Sequence, residues 1–239
     1  MADPVNNTTT PVSTVLTRIV LDKIGYSTIF TLTEDNSAWF YESGMQIDAD
    51  GAYKAYNQNN KLGLDWLANA GHPGNWWALV TDKDGNPIVQ GPDDPAPGYY
   101  ISTTSLEDAS KSKDDPRRYV DSSSIPFIVL PSRKTFGAKL GDLCMVYNIA
   151  NQKFYGGVYA DIGPRDKIGE CSIAMADALG INANPKSGGT GNGIVYIVFP
   201  GSGIGWPLSN DDIQQNAERV FDKWGGLDRL GAVLPDIHN

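Results

Sequence analysis

The sequence reads as a mainly β protein, one compact barrel or sandwich, and three observations carry that reading. Glycine (26 residues) and proline (15) are scattered through the 239-residue chain, cutting it into short segments. Between them lie eight short runs rich in β-branched and aromatic residues, at 28–32, 76–81, 88–90, 99–103, 127–130, 143–148, 157–161 and 194–199. Only two segments carry a helical pattern. The first opens near Glu170-Cys171-Ser172 and runs to Leu179, stopping at Gly180. The second runs from about Asn210 to Trp224, with Ile213, Ala217, Val220, Phe221 and Trp224 along one face and Gly225-Gly226 closing it.

Each remaining stretch has a plain physical reading. Residues 1–13, rich in Asn, Thr and Pro without apolar periodicity, read as a flexible tail, leaving 14–239 as a single domain. Two Asn-x-Thr triplets begin in that tail, at Asn6 and Asn7, and are open to glycosylation in a secreted setting. The string Asp82-Lys83-Asp84-Gly85-Asn86-Pro87 resembles a calcium loop, but the glycine spacing fails and no glutamate closes twelve residues, so a hairpin turn is expected. With 41% apolar residues the chain can bury a sizeable core. No window is long and apolar enough for a membrane span, and a soluble protein is expected.

Charge and side-chain chemistry exclude several functions. A net charge of −9 without a Lys/Arg run argues against a nucleic-acid partner, and would suit a cationic ligand. The two cysteines, Cys144 and Cys171, cannot build a disulfide scaffold or a thiolate zinc site, and Cys144 in its apolar run is expected to be a buried free thiol. His72 and His238 lie in neither a nucleophile triad nor a metal cage, so no metal and no cofactor is expected.

Carboxylates remain. In Val158-Tyr-Ala-Asp161-Ile-Gly-Pro-Arg-Asp-Lys-Ile-Gly-Glu170-Cys-Ser-Ile, an aspartate ends an apolar run, a Gly-Pro turn follows, and a glutamate opens the next element. A turn-rich loop of that length can bring both carboxyls to one rim of a sheet, as acid/base cleavage of a glycosidic bond requires. Equally, Asp161 can bond the backbone of its own turn and Glu170 can complement a helix start. The pattern alone leaves both readings open.

The same segment, with Asp161-Ile-Gly-Pro, Lys167-Ile-Gly-Glu170 and Ser172-Ile-Ala-Met-Ala, resembles the active-site signature of family 75 glycoside hydrolases, the fungal-type chitosanases. Further likeness lies in Ser43-Gly-Met-Gln-Ile-Asp48-Ala-Asp50-Gly-Ala-Tyr53-Lys-Ala-Tyr56, Leu67-Ala-Asn-Ala-Gly-His-Pro-Gly-Asn75-Trp76-Trp77, Asp94-Pro-Ala-Pro-Gly-Tyr-Tyr100, Asp115-Pro-Arg-Arg-Tyr-Val-Asp121, Pro185-Lys-Ser-Gly-Gly and Phe199-Pro-Gly-Ser-Gly. The resemblance implies endo-cleavage of chitosan and chito-oligosaccharides with inversion, by a secreted monomer, on Asp161 and Glu170. The Asp-x-Gly-Pro string is also similar to one in barwin-like and expansin-like domains. That implies a double-psi β-barrel-like single domain with extra strands and a few peripheral helices, and it keeps two rivals in view: a peptidoglycan-cleaving enzyme and a non-catalytic, expansin-like binding domain. Glutamate's higher intrinsic pKa points to Glu170 as general acid and Asp161 as base, whereas a helix start under Glu170 and the barwin-like comparison point the other way.

Subsites for a glucosamine chain need carboxylates for the ammonium groups and aromatic faces for the rings. Asp48, Asp50, Tyr53, Asn75, Trp76, Asp94 and Tyr100 are the candidates. In an extended strand Trp76 and Trp77 face opposite sides, so one at most lines a cleft. Arg117, Arg118 and Asp121 read as a structural ion-pair cluster.

Overall fold

The computed structural model describes residues 16–206 and 209–233; the expected tail, both Asn-x-Thr triplets and His238 lie outside the described residues. Ten strands and three helices follow in the order β1 (Arg18–Ile24), β2 (Ser27–Leu32), β3 (Trp39–Asp48), β4 (Gly71–His72), β5 (Asn75–Trp76), β6 (Phe127–Pro131), β7 (Leu143–Asn148), β8 (Lys153–Gly163), β9 (Glu170–Ser172), α1 (Ile173–Ala178), β10 (Thr190–Val198), α2 (Asn210–Trp224) and α3 (Gly226–Val233). No helix among the described residues is long and apolar enough to cross a membrane.

Six strands close on themselves in the order β3-β10-β7-β8-β6-β9, with β9 returning to β3. Two pairs in this ring, β6–β8 and β3–β9, are parallel and the others antiparallel. The β1–β2 hairpin extends the sheet from β3. The expected mainly β barrel with extra strands is therefore what the chain forms, and closure leaves the six ring strands with no open edge.

Alternation within the strands separates two apolar layers. Met45 and Ile47, Ile128 and Leu130, Cys144 and Val146, Tyr159, Cys171, and Tyr196 and Val198 meet inside the ring, where Met175 and Ala176 of α1 and Leu179 just past its end pack with them. The opposite faces of β6, β7, β8 and β10 carry Phe127, Met145, Val158 and Val195, covered by Ile213, Ala217, Phe221 and Trp224 of α2 and by Leu230 and Val233 of α3. Cys144 and Cys171 are free thiols, both fully buried.

Several expectations are corrected. Runs 76–81, 88–90 and 99–103 form no continuous ladder. They meet through isolated bridges such as Leu79↔Ser102 and Val89↔Tyr100 and through single bonds such as Ile101 N–H to the Ile88 carbonyl (3.0 Å). Asp82–Pro87 and the Pro-rich 91–98 stretch leave each run too short to extend. The Asp82 turn itself forms as expected, its Oδ1 accepting from the Asp84 and Asn86 amides, both at 2.9 Å. Glu170 and Cys171 belong to a strand rather than to a helix start: α1 begins at Ile173, and its cap is Ser172, whose Oγ accepts from the Met175 amide (3.2 Å). Arg118 pairs with Glu107 (2.5 Å) and Arg117 with Asp115 (3.4 Å), whereas Asp121 accepts from Ser123 and Ser124.

Between β3 and β6 the chain makes a long excursion with its own small apolar centre of Ala49, Ala52, Ala55, Tyr56, Ala70, Ala78 and Leu79. Gly51 packs the start of the excursion against its last part. The backbone there has φ +79°, and a Cβ would stand 2.0 Å from the Val120 carbonyl oxygen. Left-handed strain and a backbone clash act together. Gly51→Ala is expected to lower the urea unfolding free energy by about 2 kcal/mol or more. Gly85→Ala, at φ +82° but in open space, should cost about 1 kcal/mol. Equal losses in the two variants would show that the close contact at Gly51 contributes nothing.

Candidate active site

Asp161 would point to the same side as Tyr159, into the barrel, if β8 kept a regular alternation. It does not: Ile128 pairs with Tyr159 and Val129 with Asp161, so Ala160 is an extra residue in β8. This bulge sets Asp161 on the face that carries Val129. The Ala160 carbonyl accepts from the Leu106 amide of the excursion (2.8 Å). The neighbouring Ser105 then holds the carboxylate: Asp161 Oδ1 accepts from the Ser105 amide (2.8 Å), the Ser105 hydroxyl (2.6 Å) and the Ile162 amide (2.9 Å).

On the other side of β6, Val129 pairs with Glu170, and Glu170 in turn pairs with Gln46 of β3. Gln46, Glu170, Val129 and Asp161 thus form one row across four strands, with side chains on a common face. Asp161 and Glu170 are two strand spacings apart, roughly 9.5 Å between backbones. Lys167 places its ammonium 3.1 Å from Glu170 Oε2. Gly169 makes this entry into β9 possible, because at φ +91° a Cβ would lie 2.5 Å from Ser43 Oγ and 2.8 Å from the Gly44 carbonyl oxygen of β3.

Two residues beyond Gln46, Asp48 lies on the same face of β3, and its Oδ1 accepts from the Asp50 amide (2.7 Å) in the turn that follows. Tyr56 donates its hydroxyl to Asp50 Oδ1 (2.6 Å). Oxygens of Asp48, Asp50 and Asp161 lie within 4.8 Å of one another, a spacing that a metal ion could also use. Burial and the neighbouring carboxylates push Asp48 and Asp50 well above the ordinary aspartate range. Asp161 is also raised, chiefly by burial, against its three hydrogen bonds, which favour the ionised form.

These residues line a cleft of about 660 Å³. Its far wall comes from the excursion: Asp65, which accepts from Asn69 Nδ2 (2.8 Å), and Trp77, whose indole N–H donates to the Asn69 carbonyl (2.8 Å). The loop at 185–188 forms another side, where Lys186 Nζ donates to the Asn60 and Gly63 carbonyls, both at 2.6 Å, and stands 4.8 Å from the centre of the Trp66 ring. Both lysines of the lining therefore have their charge engaged.

Of the residues nominated from sequence, Asp161, Glu170, Asp48 and Asp50 come together here, and five lie elsewhere. Trp76 and Tyr100 pack against the apolar centre of the excursion. Asn75 pairs with His72 in the small β4–β5 hairpin. Asp94 accepts from the Gly91 amide (2.8 Å) and stands 3.8 Å from Arg117. Tyr53 is partly buried, with its carbonyl accepting from Gln90 Nε2 (2.6 Å). Of the paired tryptophans, Trp77 faces the cleft.

A family model described as fungal chitosanase of glycosyl hydrolase group 75 matches residues 77–232, well over half of the chain and including both Asp161 and Glu170. The chain belongs to this family. A family 75 member is a glycoside hydrolase of the chitosan-hydrolysing class, and the acidic cleft of this one is of a kind to receive a cationic polysaccharide. Comparison with curated proteins finds no match. Asp48 and Asp50 precede the matched segment.

The raised carboxyls have a consequence for stability. Asp48, Asp50 and Asp161 bind protons more tightly folded than unfolded, where an aspartate titrates near ~3.9. Their contribution is complete below that value and is lost as pH rises through the folded values. Carboxyls with lowered values, such as Glu107 and Asp35, act in the opposite sense and only at lower pH. The melting temperature is expected to decline from about pH 5 towards neutrality, and Asp50→Asn should flatten the decline; scanning calorimetry across this range tests it. A melting temperature that rises over the same interval would contradict the burial of these groups.

Proposed function

We propose that the protein is a secreted, monomeric endo-chitosanase that hydrolyses β-1,4 glucosamine linkages with inversion, using Asp161 and Glu170. The observation that carries this reading is the row across β3, β9, β6 and β8, which sets the two carboxylates on one face with a strand between them. Inverting glycosidases keep their carboxyls about 6.5–9.5 Å apart, room for a water on the face opposite the leaving group. Two strand spacings fall at the upper end of that range.

The charge distribution supports Asp161 as the proton donor, the reverse of the assignment from intrinsic pKa values. It is buried among other carboxylates, which favours its protonated form. Its three donors all converge on Oδ1, which fixes that oxygen as the acceptor and leaves Oδ2 to carry the proton to the departing glycosidic oxygen. Glu170, with Lys167 as countercharge, would then accept a proton from the attacking water. Asp48 and Asp50, crowded and desolvated, gain a partner when a glucosamine ammonium enters, and Trp77 offers an aromatic face for a ring. This demand for positive charge favours chitosan over chitin or peptidoglycan.

Asp161→Asn and Glu170→Gln are each expected to lower chitosan cleavage by about 10²–10⁴-fold with little change in melting temperature. On an aryl glucosamine oligomer, whose leaving group needs no proton, Asp161→Asn should regain most of its activity while Glu170→Gln does not. Rescue of Glu170→Gln instead would exchange the two roles. Proton NMR of the first products should show the α-anomer, and a β-anomer would exclude inversion.

A further inference from the structure

A second cavity, of about 730 Å³, adjoins the cleft and shares Gln46 and Lys167 with it. It lies beyond the Lys167–Glu170 pair, between the tip of the β1–β2 hairpin, the β3–β10 edge and the loop at 166–168. Glu42 and Asp166 are exposed carboxylates on its walls, and neither joins an ion pair among the described residues. Of the two cations that line it, Lys167 is held by Glu170 and Arg18 sits 5.2 Å over the Phe30 ring. Tyr26, fully exposed in the turn between β1 and β2, presents its ring at the rim.

We propose that this cavity is a distal subsite for the amino-sugar chain, where a glucosamine unit leaving the cleft past Lys167 places its ammonium between Glu42 and Asp166 and its ring against Tyr26. The proposal rests on the reading of the cleft as the site of chitosan cleavage. Two features favour this occupant: Gln46 and Lys167 line both hollows, so the second lies next to the cleft, and carboxylates outside any ion pair, on the same walls as an exposed ring, suit a polyhydroxylated cation. The hairpin is an addition outside the closed ring, anchored to it by Ile24 and Ile29, and Tyr26 at its tip is left exposed.

The test uses glucosamine oligomers of graded length and the variant Tyr26→Ala/Glu42→Gln/Asp166→Asn. For the unaltered protein KM should fall as the oligomer becomes long enough to reach the second cavity. The variant should lose that gain, with KM for long chains raised by about tenfold, the loss of one moderately strong subsite. Since all three side chains are exposed, an unchanged melting temperature will confirm that the variant folds. A variant with the same dependence of KM on chain length as the unaltered protein overturns the subsite and leaves the cleft reading intact. Failure of the unaltered protein to cleave any oligomer overturns the cleft reading itself, and the subsite with it.

Discussion

The register of β6 at Val129 is the constraint on which the site depends. One residue is met by Asp161 from β8 on one side and by Glu170 from β9 on the other, so a single point of the ring sets both the separation and the common orientation of the two carboxylates. The extra residue Ala160 is what allows this. Without it Asp161 would face the barrel interior among Tyr159, Ile128 and Cys171, where nothing could solvate it. The bulge is in turn fastened by the excursion, through Leu106 to the freed carbonyl and Ser105 to the carboxylate. Barrel and excursion are therefore joined at the residue where the proposed chemistry occurs.

That junction has an electrostatic cost. Asp48, Asp50 and Asp161 are brought within a few ångströms of one another in a poorly hydrated recess, and such a set resists full ionisation. Hydrogen bonds from the Asp50 amide, Tyr56 and Ser105 relieve part of it. The remainder is relieved by a proton or by a cation from outside. On the proposed function a chain of glucosamine ammonium groups would provide the latter, turning that strain into binding preference.

Much of the barrel was legible in the sequence because its strands are unbroken apolar runs buried on both faces: β6, β7 and the cores of β8 and β10 appear where β-branched and aromatic runs predict them, and α2 has a clean apolar stripe. β3 was not legible, although it is the strand that closes the ring. Its Glu42-Ser43-Gly44 centre breaks the apolar pattern because there it meets the β10 bulge, where Thr190 pairs with Met45 and Ile194 with Ser43. β9 was hidden for another reason. Its three residues run directly into the Ile-Ala-Met-Ala helix, and local propensity cannot distinguish a strand of that length from a first helical turn. α3 follows α2 after only Gly225, which the sequence marks as an end rather than a joint.

The site divides along the same line. Asp161 and Glu170 lie on one contiguous segment, and the family resemblance is what favours the catalytic reading over the turn-and-cap reading. Asp65, Asn69 and Lys186 were not nominated, since what makes them cleft residues is contact between segments far apart in sequence, such as Lys186 with Asn60 and Gly63. The aromatic choice shows the limit most clearly. Trp76 ends β5 and Trp77 lies just beyond it, so strand alternation does not govern this pair, and which ring faces the cleft depends on where the hairpin lies. The bond from the Trp77 indole to the Asn69 carbonyl turns that ring towards the cleft, while Trp76 is drawn into the alanine-rich centre beside Ala70 and Ala78. Small alanines at that centre let the irregular backbone pack closely without a ladder. An excursion built this way is free of the two-residue period of a sheet, and so can present Asp50, Asp65 and Trp77 to one hollow from positions that no strand could bring together.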